Sequence, residues 1–82
     1  MVRVTLIGKA GCHLCDEARA VIAAVCAETG EAWQELSIED DPALFDEYGE
    51  RIPVTLVDGR PHDFWQVDPA RLRSALNEPA SR

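Results

Sequence analysis

Positive charge is scarce in this chain. Of its 82 residues, 8 are Lys or Arg and 15 are Asp or Glu, which gives a net charge of −7. A nucleic-acid-binding surface must be basic to neutralise phosphates, so this composition excludes that class of protein. Long apolar runs are also missing, since none approaches the roughly 18 residues of a membrane span. The N-terminal segment lacks the pattern of a signal peptide. We expect no nucleic acid or membrane partner.

Cysteine is scarce as well. The three cysteines, Cys12, Cys15 and Cys26, do not provide the several pairs that hold a small secreted domain together. We therefore expect a reducing, cytoplasmic setting, in which a Cys-x-x-Cys pair is typical of metal binding or catalysis. Apolar residues make up 46% of the chain, enough for one small core. We expect a monomeric single domain over residues 1–82, ordered over about 2–77, with a frayed C-terminal end.

The hydrophobic pattern predicts the element order β-α-β-α-β-β-α. Two helices have cap-plus-proline starts, and an Asp-Gly pair predicts a hairpin between the last two strands. A βαβ unit followed by a hairpin and a helix predicts an α/β fold. Its sheet is four-stranded and mixed, with the first strand beside the third and helices on both faces. The predicted elements are a strand through Val2, Val4 and Leu6, a helix over 14–27, a strand with Gln34, Leu36 and Ile38 on one face, a helix begun by Asp41 and Pro42 and ended by Gly49, a strand over 52–57, the Asp58-Gly59 turn, an edge strand over 61–67, and a helix begun by Asp68 and Pro69.

Cys12 and Cys15 follow the first predicted strand, where the first helix begins. The free N–H groups and the dipole of a helix N-terminus stabilise a thiolate, which is the reactive form of cysteine. A disulfide can close across this spacing if Cys12 is the cap and Cys15 lies in the first turn. This geometry predicts an exposed attacking thiol at Cys12 and a buried resolving thiol at Cys15.

Other interpretations of the same residues remain open. A Cys-x-x-Cys pair is also half of a zinc site, although no second half is present and no metal ligand set is predicted. Cys26 lies about 16 Å further along the helix and is interpreted as a core residue. A run of nine acidic residues without Lys or Arg, over 20–50, is either a solvated face or a docking surface for a basic partner.

Two segments of the chain resemble the glutaredoxin-like branch of the thioredoxin superfamily. The first is Gly-Cys-His-Leu-Cys-Asp-Glu-Ala at residues 11–18, and the second is Ile52-Pro53-Val54 ahead of Asp58-Gly59. They are especially similar to its short bacterial members with a Cys-x-Leu-Cys motif. The resemblance implies a thiol–disulfide oxidoreductase with a catalytic pair, Cys12 as nucleophile and Cys15 as resolving thiol, and a cis Pro53 facing them. It also implies a thioredoxin/glutaredoxin-like fold. We expect substrate binding by Lys9, His13, Leu14, Ile52 and Pro53.

The chain departs from this family after its fourth predicted strand. Glutaredoxins place a Gly-Gly pair and a nearby Asp there for glutathione, whereas this chain has Trp65-Gln66-Val67-Asp68, in which only Asp68 corresponds. We expect no bound cofactor, weak glutathione affinity, and an external thiol reductant. The implied partners are a disulfide-containing protein or small thiol and, as electron donor, a reductase or glutathione. The alternative function is a non-catalytic thioredoxin-fold binding module or redox sensor.

Overall fold

The protein, in a computed structural model, is described over residues 2–78. These residues form three helices and four strands in the predicted order β-α-β-α-β-β-α. Of the predicted frayed end, residues 79–82 lie outside the described residues. The elements are β1 (Val4–Gly8), α1 (His13–Thr29), β2 (Trp33–Ser37), α2 (Pro42–Tyr48), β3 (Val54–Val57), β4 (Arg60–Phe64) and α3 (Pro69–Asn77).

The strands form one mixed sheet in the order β2-β1-β3-β4. β1 is parallel to β2 and antiparallel to β3, and β3 and β4 form an antiparallel hairpin. Asp58 and Gly59 connect the hairpin with φ angles of 53° and 81°. Both values are positive, as a two-residue type I′ turn requires. The predicted topology is confirmed, with the first strand beside the third and Pro61 in an edge strand.

Side-chain alternation along β1 divides the core between the two faces of the sheet. Val4 and Leu6 face α1 and α3 and pack with buried apolar side chains of both helices. Ile7 faces the other way, in a smaller cluster with Val54 and with side chains of α2. Burying apolar surface on both faces holds the helices there, at about 25 cal/mol per Å² removed from water. The ends of β1 and β3 are thereby fixed relative to the start of α1.

Each helix begins at a residue whose side chain accepts hydrogen bonds from the free N–H groups of its first turn. Asp41 caps α2 and Asp68 caps α3, each followed by a proline, as predicted. Gly49 is the C-terminal cap of α2, again as predicted. Cys12 caps α1 with its sulfur. Among residues 2–78, no helix is long and apolar enough to cross a membrane.

Several predicted boundaries are wrong by a few residues. β1 begins at Val4 rather than Val2, and α1 runs from His13 to Thr29, beyond both ends of the predicted 14–27. α1 continues until Gly30 adopts a left-handed conformation, with φ of 77°, and its N–H closes the last turn. The helix pattern marked the apolar stripe, whereas the polar residues at each end extend the helix without contributing to that stripe.

The second strand ends one residue earlier than predicted, and the third and fourth strands are shorter than predicted, since β3 begins at Val54 rather than at residue 52. β2 ends at Ser37, so Ile38 is buried just beyond the strand instead of sharing a strand face with Leu36, which is exposed. β4 ends at Phe64 rather than at residue 67, because Trp65 has a φ of 65° and cannot continue an extended strand. The turn that replaces the end of β4 becomes part of the candidate site.

Candidate active site

Cys12 is the N-terminal cap of α1, and its sulfur replaces the oxygen that usually caps a helix. Its backbone is extended, with φ of −93° and ψ of 116°. The Sγ atom accepts a hydrogen bond from the backbone N–H of Cys15 at 3.2 Å. Cys12 is partly exposed, so its sulfur meets solvent and the positive end of the helix dipole. The arrangement provides an accessible thiol at a point where a thiolate is stabilised.

Cys15 lies one turn further along α1 and is fully buried. Burial is the main cause that raises the pKa of Cys15 to about 11, and a hydrogen bond with the Cys12 side chain adds to the increase. The backbone N–H of Lys9 and the charge of Arg19 act in the opposite direction. Cys15 is therefore held as a neutral thiol directly behind the exposed sulfur.

Gly8, the last residue of β1, allows this burial. A Cβ atom at position 8 would lie 2.7 Å from the Sγ of Cys15 and 3.3 Å from its Cβ. Real Cβ atoms do not approach sulfur that closely, so a side chain here would displace Cys15. Sequence reasoning does not identify this glycine as part of the site, because its close approach to Cys15 forms only in the folded protein.

Arg19 organises the charges on the adjacent face of α1. Its guanidinium donates to Asp16 and to Glu35 of β2, each at 2.7 Å. This pairing holds the pKa of Glu35 below its usual value. His13 lies 3.8 Å from Glu17, and both side chains are well exposed. Asp16, the acidic residue directly after Cys15, is thus paired with a cation of the same helix.

Ile52 and Pro53 reach the same end of the sheet from β3. Their peptide bond is cis, the geometry that the resemblance implies. Ile7 pairs with Val54, so the antiparallel register brings Gly8 opposite Pro53 at the next step. Since Gly8 packs on Cys15, the buried Pro53 lies at the end of the sheet where β1 finishes and α1 begins. Ile52 is half-buried and packs against the smaller core cluster.

The remaining predicted substrate-binding residues are exposed. His13 and Leu14 lie between the two cysteines in the first turn of α1, and both side chains face solvent. Lys9 is exposed in the loop after β1, and its backbone N–H acts to lower the pKa of Cys15. Substrate binding by Lys9 stays a prediction.

A cleft of about 250 Å³ opens beside the cysteine pair, between α1 and the turn after β4. We call it the Leu14–Trp65 cleft. The left-handed backbone of Trp65, which places this residue at the cleft, has no signal in the sequence, because bulky residues seldom adopt that conformation. The lining residues are Leu14, Glu17, Ala18, Val21, Trp65, Gln66 and Val67.

Asp68, the candidate counterpart of a glutathione-binding Asp, is engaged within the protein. Its carboxylate accepts from the N–H groups of Ala70 and Arg71 at 2.9 and 3.3 Å. Cys26 is buried in the larger core cluster at the far end of α1, as predicted. Within residues 2–78, no three His, Cys, Asp or Glu side chains are grouped so as to hold a metal ion.

A sheet of this topology with a Cys-x-x-Cys pair at the start of the first helix is typical of proteins with a thioredoxin-like fold. Comparison with known families agrees with this class. Residues 3–77 match the family model of the Glutaredoxin-like domain (DUF836). The match spans nearly the whole chain, and the protein belongs to this glutaredoxin-like family.

Similar proteins are found in several bacteria. An uncharacterized protein of Mycobacterium tuberculosis is 35% identical over 79 residues, covering 90% of this chain and 81% of the relative. The crystal structure of a structural-genomics target protein from X. campestris is 39% identical, with a TM-score of 0.73, covering 90% of this chain and 95% of the other. Oxidised thioredoxin from Plasmodium falciparum, at 8% identity and a TM-score of 0.57 over 98% of this chain and 84% of its own, shares the fold alone.

Proposed function

We propose that the protein is a dithiol–disulfide oxidoreductase in which Cys12 is the nucleophile and Cys15 the resolving thiol. One observation carries the proposal: the Cys12 sulfur caps α1 and accepts the N–H of Cys15 at 3.2 Å, while remaining partly exposed. A backbone N–H that points at sulfur favours the thiolate over the thiol, because only the thiolate is a strong acceptor. The fold and family are compatible with this redox activity.

The proposed reaction has two exchange steps. The Cys12 thiolate attacks one sulfur of a substrate disulfide, the S–S bond breaks, and the other sulfur leaves as a thiolate. Cys15 then loses its proton and attacks the Cys12 sulfur of the mixed disulfide. The second substrate sulfur leaves and is protonated, and a Cys12–Cys15 disulfide forms. The substrate gains two electrons and the protein loses two, which an external thiol reductant restores.

The burial of Cys15 gives the two thiols their order. In the reduced protein its raised pKa keeps it protonated, so only Cys12 competes for the substrate. Part of that increase comes from the hydrogen bond with Cys12. When Cys12 becomes bonded to substrate sulfur, it no longer has a titratable thiol. We expect this cause of the raised pKa of Cys15 to weaken at the step that needs the Cys15 thiolate.

The substrates we propose are disulfides of proteins or small thiols, bound by Lys9, His13, Leu14, Ile52 and Pro53. A reductase or glutathione would supply electrons, with no bound cofactor. Weak glutathione affinity is expected, because Trp65 stands in the turn where glutaredoxins have glycine and Asp68 is engaged as a helix cap. We propose that the protein works as a monomer in the cytoplasm.

Trapping the intermediate tests this mechanism. Cys15→Ser should accumulate a mixed disulfide between Cys12 and a model disulfide substrate, because attack proceeds and resolution fails. Cys12→Ser should form none and should have no reductase activity. Intact-mass spectrometry after acid quenching distinguishes the two variants. Trapping through Cys15 in Cys12→Ser, or full reductase activity in both variants, would contradict the proposal and favour a non-catalytic binding module.

A further inference from the structure

Two large apolar side chains of the Leu14–Trp65 cleft remain in contact with solvent. The Trp65 side chain is 55% exposed, although an indole buries well, and Leu14 beside it is 37% exposed. The cleft begins at Leu14, between the two cysteines, and continues along the first turns of α1. Whatever fills it therefore lies next to the proposed nucleophile.

Trp65 is held in place by backbone hydrogen bonds despite an unfavourable conformation. Its φ is 65°, a region that a bulky residue seldom occupies. Its N–H donates to the carbonyl of Pro53 at 2.7 Å, and the N–H of Gln66 donates to Phe64 at 2.8 Å. Backbone strain of this kind occurs mainly at functional sites. The bonded turn therefore fixes the backbone of Trp65 beside the cleft and links it to the segment that carries Pro53.

We propose that Trp65 is a specificity-determining residue and that the Leu14–Trp65 cleft accepts an apolar side chain of a polypeptide substrate, next to its half-cystine. The inference rests on the proposed exchange function and names its substrate class. A volume of about 250 Å³ suits one side chain better than a whole small molecule. Small-molecule sites usually measure roughly 300–1,000 Å³.

Charge selects among polypeptides. Among the described residues that line the cleft, Glu17 carries the only charge, and its side chain is 60% exposed. An anionic thiol such as glutathione finds no cation in this lining, whereas a Lys or Arg beside the apolar side chain would meet Glu17. The net charge of −7 acts in the same direction over longer distances. The expected substrate segment is therefore apolar and cationic on the same side of its half-cystine.

Matched peptide disulfides test the inference. Each probe is a short synthetic peptide whose single cysteine is bonded to thionitrobenzoate, a chromophore released when Cys12 attacks the peptide sulfur. The neighbouring residue is Leu or Asn, and the next one is Arg or Asp. The second-order rate constant for the Leu-Arg peptide should exceed that for the Asn-Asp peptide by about tenfold, the scale of one apolar side chain in a pocket.

Two variants show whether the peptide preference comes from the cleft or from any exposed apolar side chain. Trp65→Ala should remove most of the preference by slowing the Leu-Arg peptide, with less than about a twofold effect on the Asn-Asp peptide. Phe45→Ala is the matched control, because Phe45 is 59% exposed but lies in α2, away from the cleft. That variant should keep both rate constants of the wild type.

A binding measurement completes the test without any exchange. In the nitrogen-15 spectrum, the indole N–H signal of Trp65 should shift when a Leu-Arg peptide with serine in place of cysteine is added. The signal of Trp33, which lies in β2, is the internal reference. Equal rate constants for all probes, with an unmoved Trp65 signal, would overturn the inference and leave the exchange function standing. An absence of Cys12-dependent release from every probe would instead overturn the exchange function, and the inference with it.

Discussion

The two ends of α1 each bury a cysteine, and the surroundings of the two thiols differ sharply. Cys15 is 0% exposed and Cys26 is 2% exposed, and burial is the largest cause of a raised pKa in both. At the N-terminal end, the backbone N–H of Lys9 and the charge of Arg19 counteract part of that increase. At the C-terminal end, the carboxylate of Glu31 adds to it.

The helix itself contributes to this difference. The first turn of α1 directs a free N–H at the sulfur of Cys12, whereas the last turn presents carbonyl oxygens. The carbonyl oxygen of Cys26 accepts hydrogen bonds from the N–H groups of Gly30 and Glu31. A thiolate is stabilised by the first environment and destabilised by the second. Residue type and burial alone therefore do not identify a reactive cysteine; its position along the helix and its nearest charges do.

The largest expected effect is a separation of activity from stability between the two ends. Cys12→Ser should reduce exchange activity to the uncatalysed background, while serine, a preferred helix cap, keeps the free energy of unfolding within about 0.5 kcal/mol. Cys26→Ala should leave exchange activity unchanged and lower the free energy of unfolding by about 1–2 kcal/mol, because a buried sulfur is removed. Disulfide reduction assays and urea denaturation measure the two quantities.

Wild-type protein taken through the same preparation is the control for both variants. A Cys26→Ala protein that loses exchange activity at full stability would contradict the comparison, since it would give the C-terminal end a chemical role.

Adding a methyl group at each end of α1 should separate the two ends by stability alone. Gly8→Ala should lower the free energy of unfolding by about 2–3 kcal/mol, because the new Cβ meets the Sγ of Cys15 at 2.7 Å. Gly30→Ala meets nothing within 4 Å, and its cost of about 1 kcal/mol comes only from the left-handed backbone, with φ of 77°. Urea denaturation of both variants measures the difference.

A double-mutant cycle shows whether the clash is with sulfur. In a Cys15→Ala background, the cost of Gly8→Ala should fall by about 1 kcal/mol, and that of Gly30→Ala should stay the same. Equal costs of Gly8→Ala in both backgrounds would mean that something other than the Cys15 sulfur resists a side chain at position 8.

Much of the fold could be predicted from the sequence because local signals and topology rules agree. Asp41, Asp68 and the Asp58-Gly59 pair each act within a few residues of themselves, and each fixes one boundary. A βαβ unit followed by a hairpin leaves few sheet orders. Boundaries set by distant contacts were less predictable: β4 ends where the Trp65 N–H donates to Pro53, twelve residues earlier in the chain.

The candidate site was predicted in part for the same reason. Cys12 as cap and Cys15 as buried neighbour follow from helix geometry, which sequence spacing carries. The packing of Gly8 on Cys15 and the cleft beside Leu14 and Trp65 depend on elements that meet only in the folded protein. Such contacts leave no periodic pattern in the sequence, so they required the structure.

The last effect in this comparison is the pH dependence of stability of the reduced protein. Because the folded protein raises the pKa of Cys15 to about 11, it retains a proton that the unfolded chain has lost above about pH 9. The unfolded state then binds fewer protons, so the free energy of unfolding falls as pH rises from about 9 to 11, by about 2 kcal/mol from Cys15. Cys26 and Tyr48, whose pKa values are also raised, contribute in the same direction.

Urea denaturation over this pH range measures the effect. The fall in the free energy of unfolding of wild type, minus the fall for Cys15→Ala, isolates the contribution of Cys15. The oxidised protein has no thiol at position 15, so its pH dependence should match that of Cys15→Ala. Parallel pH profiles for wild type and Cys15→Ala would show that Cys15 titrates normally and that its end of α1 does not differ from the unfolded chain.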